Sequence, residues 1–313
     1  RQVLGELQPR PNGLELYFAS RDEAKARRFS DEFGGAGHFG SYEEAVASPA
    51  VDAVYFMTPH HVHVENALLA SCHSKHIMME KPIARTLDES RKIIAAARDA
   101  GVKLMIAENY RFLPTVMRAR AMIADGDIGE VRLVEAVQEG NQPPSGWRED
   151  AELRGGGTLI DGGIHYIDAL VNLGGFPDQV YATMLAKVHP TGGEDGVEMS
   201  LRYPGGAVGH LSLDAGSQTR DPRNEIVIAG TKGRLSFAPF GDEVIVETPS
   251  ERRTVRLPEG NRGSLAMVTE FARCIAEDRE PAVTGEVGLE DLSVVLAAYR
   301  SAERGAAVSP TRS

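Results

Sequence analysis

The first half of the chain alternates short apolar runs with longer amphipathic stretches. The apolar runs predict strands at residues 14–19, 51–57, 77–79 and 103–107, and the amphipathic stretches predict helices at 22–33, 62–70 and 87–100. Parallel strands need a crossover connection, which is commonly a helix. This order therefore indicates a parallel sheet covered by helices.

The second half has a different pattern, in which short strand-like runs follow one another between Gly, Pro, Asp and Asn. Strands are predicted at 131–137, 179–188, 197–203, 207–213, 225–228, 234–237 and 244–248, and helices at 114–123, 264–277 and 289–304. Strands at this spacing indicate a largely antiparallel sheet. We therefore expect two domains, an α/β domain at residues 1–112 and an α+β domain at residues 113–313.

Two short segments carry the candidate chemistry. Lys81 follows the apolar run 76–79, at the strand end where open parallel sheets bind ligands, and Pro82 biases it away from helical geometry. The segment 155–168 opens with three glycines and contains Asp161 and His165, which share one face if the segment is helical. A lysine, a histidine and a carboxylate are the groups that proton transfer to or from an alcohol oxygen requires.

Further landmarks extend these two segments along the chain. They are the strand and loop 54–59 followed by His63, the segment 109–114, and the segment 147–150 before the glycines. Together they resemble the glucose-fructose oxidoreductase, inositol dehydrogenase and rhizopine-catabolism (Gfo/Idh/MocA) family of NAD(P)-dependent oxidoreductases. The resemblance implies an N-terminal Rossmann-type dinucleotide-binding domain and a C-terminal, mostly antiparallel open-faced sheet with helices on one side.

One part of that fold has no counterpart at the front of the chain. The family opens with a strand and a G-x-G-x-x-G turn that seats the dinucleotide pyrophosphate on a helix N-terminus. Here residues 1–4 read as the tail of the helix after that turn, and no such glycine pattern precedes residue 14. The chain therefore looks truncated, either in the sequence as written or in the molecule itself. If the molecule lacks this segment, dinucleotide binding would be in doubt. We favour an incomplete sequence.

Cofactor choice depends on the end of the first predicted strand. A carboxylate there binds the ribose 2′-hydroxyl of NAD, whereas an arginine nearby accommodates the 2′-phosphate of NADP. This chain has Ser20 and Arg21 at that point, with Lys25 one helical turn later. We therefore expect NADP(H) to be preferred, with NAD(H) as second candidate; the alternative is that both cations are solvated helix-start residues. The other expected cofactor-binding residues are Thr58, Pro59, His63, Glu80 and Lys81.

The resemblance gives roles to the candidate catalytic residues. Lys81 is expected to be the partner of the reacting oxygen, and His165 the acid/base or the substrate anchor. Asp161 has three readings: it orients the imidazole, binds a second hydroxyl, or caps the helix after the glycines. Glu80 is expected to organise its loop.

Three more residues are candidates for binding a polyhydroxylated ligand. An aromatic face beside a guanidinium fork, as in Trp147 and Arg148, suits such a ligand. The alternatives are a core aromatic residue and an interdomain ion pair, and Arg111 has the same ambiguity.

Composition excludes other function classes. With 34 basic and 45 acidic residues the net charge is −11, which argues against nonspecific nucleic-acid binding and gives no reason to expect membrane binding. Two cysteines are too few for a disulfide framework and fit a reducing, cytoplasmic interior. The histidines at 60–63 suggest zinc, but their spacing with Cys72, His73 and His76 matches no closed zinc motif, so no metal is expected.

The combined expectation is an oxidoreductase acting on a secondary alcohol or ketone of a sugar, sugar derivative or cyclitol. The alternatives are a redox-assisted lyase or glycosidase that retains its nicotinamide cofactor, and a cofactor-sensing or sugar-sensing protein without turnover. We also expect a homodimer or homotetramer joined through the C-terminal sheet. One face of this sheet is expected to be only partly polar. The alternating positions that predict this are Val197, Met199 and Leu201, and Val208, His210 and Ser212.

Overall fold

The computed structural model describes residues 2–8, 10–190, 192–258 and 262–313. Its N-terminal part consists of α1 (Gln2–Glu6), β1 (Tyr17–Ala19), α2 (Glu23–Phe33), β2 (Gly37–Phe39), α3 (Tyr42–Ala47), β3 (Ala53–Phe56), α4 (His63–Cys72), β4 (His76–Met79), α5 (Leu87–Asp99) and β5 (Leu104–Ile106). All strand pairs here are parallel, in a β1–β2 sheet and a β3–β4–β5 sheet. The predicted Rossmann-like alternation is confirmed, whereas β2 and α3 were not predicted.

The helices of this part begin where the sequence supplies a cap. Asp22 accepts the backbone N–H of Lys25 at the start of α2, and Thr86 accepts that of Glu89 at the start of α5. At the other end of α2, Gly34 adopts the left-handed conformation with φ +64°. Short polar caps thus set the lengths of the connections and the positions of the strand ends.

The C-terminal part is built on one eight-stranded sheet. Its elements are α6 (Pro114–Ala124), β6 (Val131–Glu139), α7 (Ala151–Arg154), α8 (Ile164–Gly174), β7 (Gln179–Met184), β8 (Gly196–Arg202), β9 (Val208–Asp214), β10 (Asn224–Gly230), β11 (Arg234–Phe237), β12 (Glu243–Glu247), β13 (Arg252–Arg256), α9 (Ser264–Ala276) and α10 (Gly285–Arg304). The strand order is β13-β12-β11-β10-β6-β9-β8-β7. Only the β6–β9 pair is parallel, so the mostly antiparallel prediction is confirmed.

Helices cover one face of this sheet, and one strand was assigned to the wrong face. Helices α8 and α10 pack against β6, β7 and β9. Val197, Met199 and Leu201 belong to the core on the helix side, with 0%, 1% and 1% exposure. The residues that alternate with them, Glu198, Ser200 and Arg202, are exposed. Alternation along a strand has a period of two but does not by itself say which side the helices cover.

The last helix connects the two parts of the molecule. Val283, just before α10, accepts a hydrogen bond from Ile106 of β5 at 2.9 Å. The first turns of α10 then lie against the parallel sheet, where a Cβ added to Gly285 would come 2.7 Å from Leu104. The carboxyl ends of β4 and β5 are thereby held against α8. Within the described ranges, no helix is long and apolar enough to cross a bilayer.

Candidate active site

Lys81 follows a strand whose last three residues are buried. Ile77, Met78 and Met79 of β4 are at most 1% exposed, so the strand is fixed in the core. The ammonium of Lys81 donates to the backbone carbonyl of Asp161 and lies 3.7 Å from Oδ1 of the same residue. The strand end is therefore connected directly to the segment before α8.

The glycine segment before α8 is shaped by close packing. Gly156 has φ +152°, and a Cβ there would come 2.4 Å from the Tyr299 hydroxyl. A Cβ on Gly157 would come 2.1 Å from the carbonyl oxygen of Glu194, whose carboxylate accepts the N–H of Leu159 at 2.8 Å. Only glycine fits at either position.

The residues 159–163 form one turn of π-helix that runs directly into α8. No side chain caps this turn, so the reading of Asp161 as a helix cap is wrong. The Asp161 carboxylate instead contacts side chains from other segments.

Cationic groups surround the Asp161 carboxylate. Arg148 Nε donates to Oδ2 at 2.8 Å, and Arg154 lies 3.9 Å from the same oxygen. Lys81 and His60 both lie 3.7 Å from Oδ1. Burial would raise the pKa of Asp161, but Lys81, Arg148, His60 and Arg154 together bring it below its usual range. The carboxylate stays ionised and can accept hydrogen bonds from a ligand hydroxyl.

His60 is a neutral member of this cluster. Its Nδ1 donates to the carbonyl of Arg154 at 2.8 Å, and its ring meets the edge of Trp147 at 4.7 Å. Burial lowers its pKa to about 3, and the charge of Lys81 acts in the same direction. The Arg148 guanidinium lies over the Trp147 ring, 4.6 Å from the ring centroid. These contacts fix Trp147 and Arg148 beside Asp161.

His165, in the first turn of α8, is held by a buried carboxylate. Its Nδ1 lies 2.7 Å from Glu108 Oε1 and 2.9 Å from Oε2. The Tyr110 ring stacks on the imidazole at 4.4 Å with an interplanar angle of 7°. No hydrogen bond joins Asp161 and His165 in the part of the chain that the structure describes, so Glu108, and not Asp161, orients the imidazole.

Lys81 and His165 line one pocket with a volume of about 250 Å³. Its other lining residues are Val3, Tyr55, Glu80, Ala107, Asn109, Ser264 and Met267. The Tyr55 hydroxyl donates to Glu80 at 2.5 Å, which fixes the carboxylate next to Lys81. The pocket therefore combines an ammonium, an imidazole and a carboxylate at the end of a parallel sheet, which is where such sheets bind ligands.

Comparison with known proteins gives this site a family. Residues 6–108 match the model of an oxidoreductase family with an NAD-binding Rossmann fold, and residues 116–236 match that of the GFO/IDH/MocA C-terminal domain. D-xylose 1-dehydrogenase (NADP(+)) 2 of Haloferax volcanii is 32% identical over 305 residues, covering 93% of this chain and 90% of that one. The chain belongs to the Gfo/Idh/MocA oxidoreductase family.

Two other comparisons agree with this assignment. The 1,5-anhydro-D-fructose reductase of Ensifer adhaerens is 32% identical over 280 residues, covering 85% of this chain and 82% of that protein. The crystal structure of the aldose-aldose oxidoreductase from Caulobacter crescentus, complexed with glycerol, superposes with a TM-score of 0.89 at 27% identity, covering 98% of this chain and 95% of that one. This member of the Gfo/Idh/MocA family is accordingly an NAD(P)-dependent oxidoreductase.

One expected cofactor-binding residue is too deeply buried to touch a ligand. His63 is 0% exposed, with Nδ1 3.0 Å from the Pro82 carbonyl and Nε2 3.1 Å from the Thr58 carbonyl. Burial lowers the pKa of His63, and its ring lies between the loop after β3 and the loop after β4. The expectation of direct contact is corrected to support of the two loops.

Arg111 is also removed from the substrate contacts. Its Nε donates to Asp168 at 2.6 Å, and Asp168 is fully buried in α8. Asp291 of α10 lies on the far side of Asp168, and burial together with the neighbouring charge of Asp168 raises the pKa of Asp291 well above its usual range. Of the two readings of Arg111, the ion pair is the one that the structure shows.

The residues expected at the cofactor ribose lie together at the end of β1. Ser20 accepts the N–H of Asp22 at 3.2 Å, and the Asp22 carboxylate is occupied by the N–H of Lys25. The Arg21 and Lys25 side chains are exposed, and neither has a partner among the described residues. Two exposed cationic side chains, next to a carboxylate that already accepts a backbone N–H, fit a ligand with a negative charge at the end of β1.

Sequence reasoning missed two residues of the site. Glu108 follows β5 and lies one residue before the landmark segment 109–114, and its partner His165 is 57 positions away. His60 was considered only as part of a zinc motif; within the described ranges, no group of three or more His, Cys, Asp and Glu residues is arranged to hold a metal.

Proposed function

We propose that the protein is an NADP(H)-preferring oxidoreductase that moves a hydride between nicotinamide and a secondary alcohol or ketone of a sugar, sugar derivative or cyclitol. The observation that carries this proposal is that Lys81 and His165 line one pocket at the end of β4. The relatives D-xylose 1-dehydrogenase and 1,5-anhydro-D-fructose reductase support a carbohydrate substrate by their names.

The proton chemistry follows from the arrangement of these two residues. When bound, the nicotinamide ring supplies the acceptor or donor of the hydride. The Lys81 ammonium, held by Asp161, hydrogen-bonds the reacting oxygen and stabilises negative charge on it. Because Glu108 occupies Nδ1 of His165, Nε2 is the nitrogen available to a substrate hydroxyl. Lys81 and His165 thus act on the oxygen while Asp161 keeps Lys81 in place.

The groups beside the pocket suit the remaining hydroxyls of such a substrate. Asp161 is ionised and accepts hydrogen bonds, whereas Arg148 is 45% exposed and uses only its Nε for Asp161. The other guanidinium nitrogens of Arg148 have no partner in the described part of the chain. The Trp147 face beside them can pack against a sugar ring.

Preference for NADP(H) is assigned to Arg21, with Lys25 as its neighbour. Losing the contact between Arg21 and a 2′-phosphate should cost about 1.5–3 kcal/mol, the range for hydrogen bonds to charged groups, and should leave NAD unaffected. Titrations of Arg21→Ala with both cofactors measure this directly, with Arg27→Ala of the same helix as the matched control. Equal losses for NADP and NAD would remove Arg21 from cofactor choice.

The reaction itself is tested by nicotinamide absorbance with a panel of aldoses, ketoses, anhydro sugars and cyclitols. Net oxidation or reduction of the cofactor supports a dehydrogenase or reductase. A new sugar product without a net change in cofactor would instead identify the lyase or glycosidase. Binding of cofactor and sugar without any product would identify a sensing protein.

Assembly through the open face of the C-terminal sheet is part of the proposal. Tyr181 and Val208 are 47% and 44% exposed there, and His210 lies 3.1 Å from Glu198 and 3.5 Å from Glu135. A partly apolar, uncovered sheet face favours a homodimer or homotetramer. Light scattering at micromolar concentration should give a multiple of 33.8 kDa, and a mass equal to the monomer contradicts this assembly.

A further inference from the structure

The Glu108–His165 pair is a short and buried polar contact of the pocket. The Glu108 side chain is 3% exposed, and both of its oxygens lie within 2.9 Å of His165 Nδ1. The backbone N–H of Tyr110 donates to Glu108 Oε1 at 3.0 Å, and the Tyr110 ring stacks on the imidazole. One short segment, residues 108–110, thus holds both the edge and the face of the His165 ring.

This contact selects one tautomer of the imidazole. An ionised carboxylate can only accept hydrogen bonds, so Nδ1 must carry a proton to bind it. When the ring is neutral, Nε2 is then left with a lone pair, and when the ring is charged, Nε2 is a donor. In both states, Nε2 is the nitrogen not engaged by Glu108.

The surroundings keep Glu108 ionised despite its burial. Burial would raise the pKa of Glu108, but the charge and hydrogen bond of His165, the N–H of Tyr110 and the charge of Lys81 bring it below its usual range. The Glu108 charge in turn acts on the pKa of its other titratable neighbours, which are Tyr55 on β3, Tyr110, Arg111, Asp168, and Asp291 on α10. A permanent negative charge therefore lies next to the imidazole.

We propose that Glu108 is a positioning residue that keeps His165 protonated at Nδ1 and so makes Nε2 the atom that exchanges the substrate proton. In the oxidative direction the O–H bond breaks, its proton passes to Nε2, and its electron pair stays on oxygen. The imidazolium formed is stabilised by the Glu108 carboxylate. The reverse transfer returns the proton to the oxygen. This inference rests on the proposed function only in taking a substrate hydroxyl as the group that gives its proton to His165.

The test compares two buried carboxyl groups. Glu108→Gln keeps the shape and can still accept from Nδ1 but loses the charge, whereas the control Asp291→Asn changes a carboxyl that has no contact with His165. We expect kcat/KM of Glu108→Gln to fall at least about tenfold and that of Glu108→Asp to fall less, because only Glu108→Gln removes the charge that stabilises the imidazolium. The kcat/KM of Asp291→Asn should stay within a few-fold of the parent.

A second readout does not need turnover. In ¹⁵N NMR of the substrate-free protein, with resonances assigned by their loss in His165→Gln, the neutral ring of His165 should be protonated at Nδ1. The same tautomer should remain in Glu108→Asp, which keeps the charge. The parent spectrum alone decides the tautomer if Glu108→Gln does not fold.

The outcomes separate this inference from the function. A neutral ring protonated at Nε2 in the parent, or unchanged kcat/KM in a folded Glu108→Gln, overturns the role of Glu108. The expected tautomer in a protein that turns over none of the sugars would support the positioning role and reject the proposed function.

Discussion

Two buried charge clusters in this protein have opposite composition. In the Asp161 cluster, one carboxylate is surrounded by Lys81, Arg148, Arg154 and the neutral His60. In the Arg111 cluster, one guanidinium faces Asp168, and Asp291 lies behind it. The first has surplus positive charge, and the second has surplus carboxyl groups.

Exposure decides what each cluster can do. Arg148 is 45% exposed and connects the Asp161 cluster to solvent beside the pocket. Asp168 is 0% and Asp291 3% exposed, so the Arg111 cluster is closed. Asp168 Oδ2 and Asp291 Oδ1 have no donor among the described residues, and a proton on Asp291 satisfies both. The open cluster is suited to binding and the closed one to holding α8 against α10.

The largest effect on turnover is expected at Lys81, which belongs to the open cluster and is proposed to act on the reacting oxygen. Lys81→Ala should lower turnover by roughly two to four orders of magnitude, the usual range for acid–base catalysis, while leaving folding and cofactor affinity nearly intact. Steady-state kinetics and cofactor titration check this. The control is Lys75→Ala, which removes another lysine bound to a backbone carbonyl, that of Ser48 at 3.0 Å. Turnover within a few-fold of the parent would exclude Lys81 from the reaction.

The closed cluster should respond in stability. Arg111→Leu leaves the charge of Asp168 buried without a partner, which should lower the free energy of unfolding by about 3–5 kcal/mol. Urea unfolding measures the change. The matched control is Arg202→Leu, because Arg202 pairs with Asp178 at 2.9 Å on the surface and its removal should hardly move the urea midpoint. Equal shifts in the two variants would contradict the account of the Arg111 cluster.

Acid should act on the open cluster through His60. Its pKa is about 3 in the folded protein and near 6.5 when unfolded, so the unfolded chain binds one more proton between these values. Stability contributed by the neutral ring is therefore lost as pH falls from 6.5 towards 3, by at most about 1.4 kcal/mol per pH unit. His60→Asn, whose amide can replace the donor to the Arg154 carbonyl, should remove this contribution in urea unfolding.

Asp168, in the closed cluster, contributes a pH dependence of stability with the opposite sign. Burial and the charge of Glu108 raise the pKa of Asp168 to about 6, so its contribution is present below its usual value and lost as pH rises through 6. Between about 3.8 and 6 each group contributes one proton with opposite sign, so the two slopes offset each other in the parent and His60→Asn should show the Asp168 slope alone. A slope that is the same in His60→Asn and the parent would refute this assignment.

The smallest effect is expected at Asp291. Asn reproduces the shape and the donor of a protonated Asp, so Asp291→Asn should change the free energy of unfolding by less than about 1 kcal/mol. Thermal or urea unfolding checks this result, and Asp168→Asn, which removes the ionised partner of Arg111, is the comparison. A loss at Asp291 as large as that at Asp168 would show that Asp291 is ionised.

The sequence identifies Lys81 and His165 because each lies in a local pattern, a strand end and a glycine-led helix. Strand and helix periodicities also reveal most elements, since β4 and α5 have clear apolar faces. The sequence does not identify Glu108 or the partner of Arg111, because both contacts join residues 57 positions apart. No local pattern predicts that the segment after β5 meets α8.

The same limit explains the error in the C-terminal sheet. Alternation in β8 correctly separates Val197, Met199 and Leu201 from the residues between them, but the covered side depends on α8 and α10, which are distant in sequence. His63 shows a related limit. Its position beside the loop is predictable, whereas its burial depends on carbonyl groups supplied by a second loop.

Isotope transfer tests the central claim most directly. NADPH carrying deuterium at both C4 positions of the nicotinamide is mixed with the sugar panel, and the products are analysed by mass spectrometry. Hydride transfer in the Lys81–His165 pocket predicts a reduced sugar with one deuterium bound to carbon, formed by the parent and by Lys75→Ala but at least about a hundredfold more slowly by Lys81→Ala. A product that contains no deuterium, or equal labelling rates in all three proteins, would contradict the account.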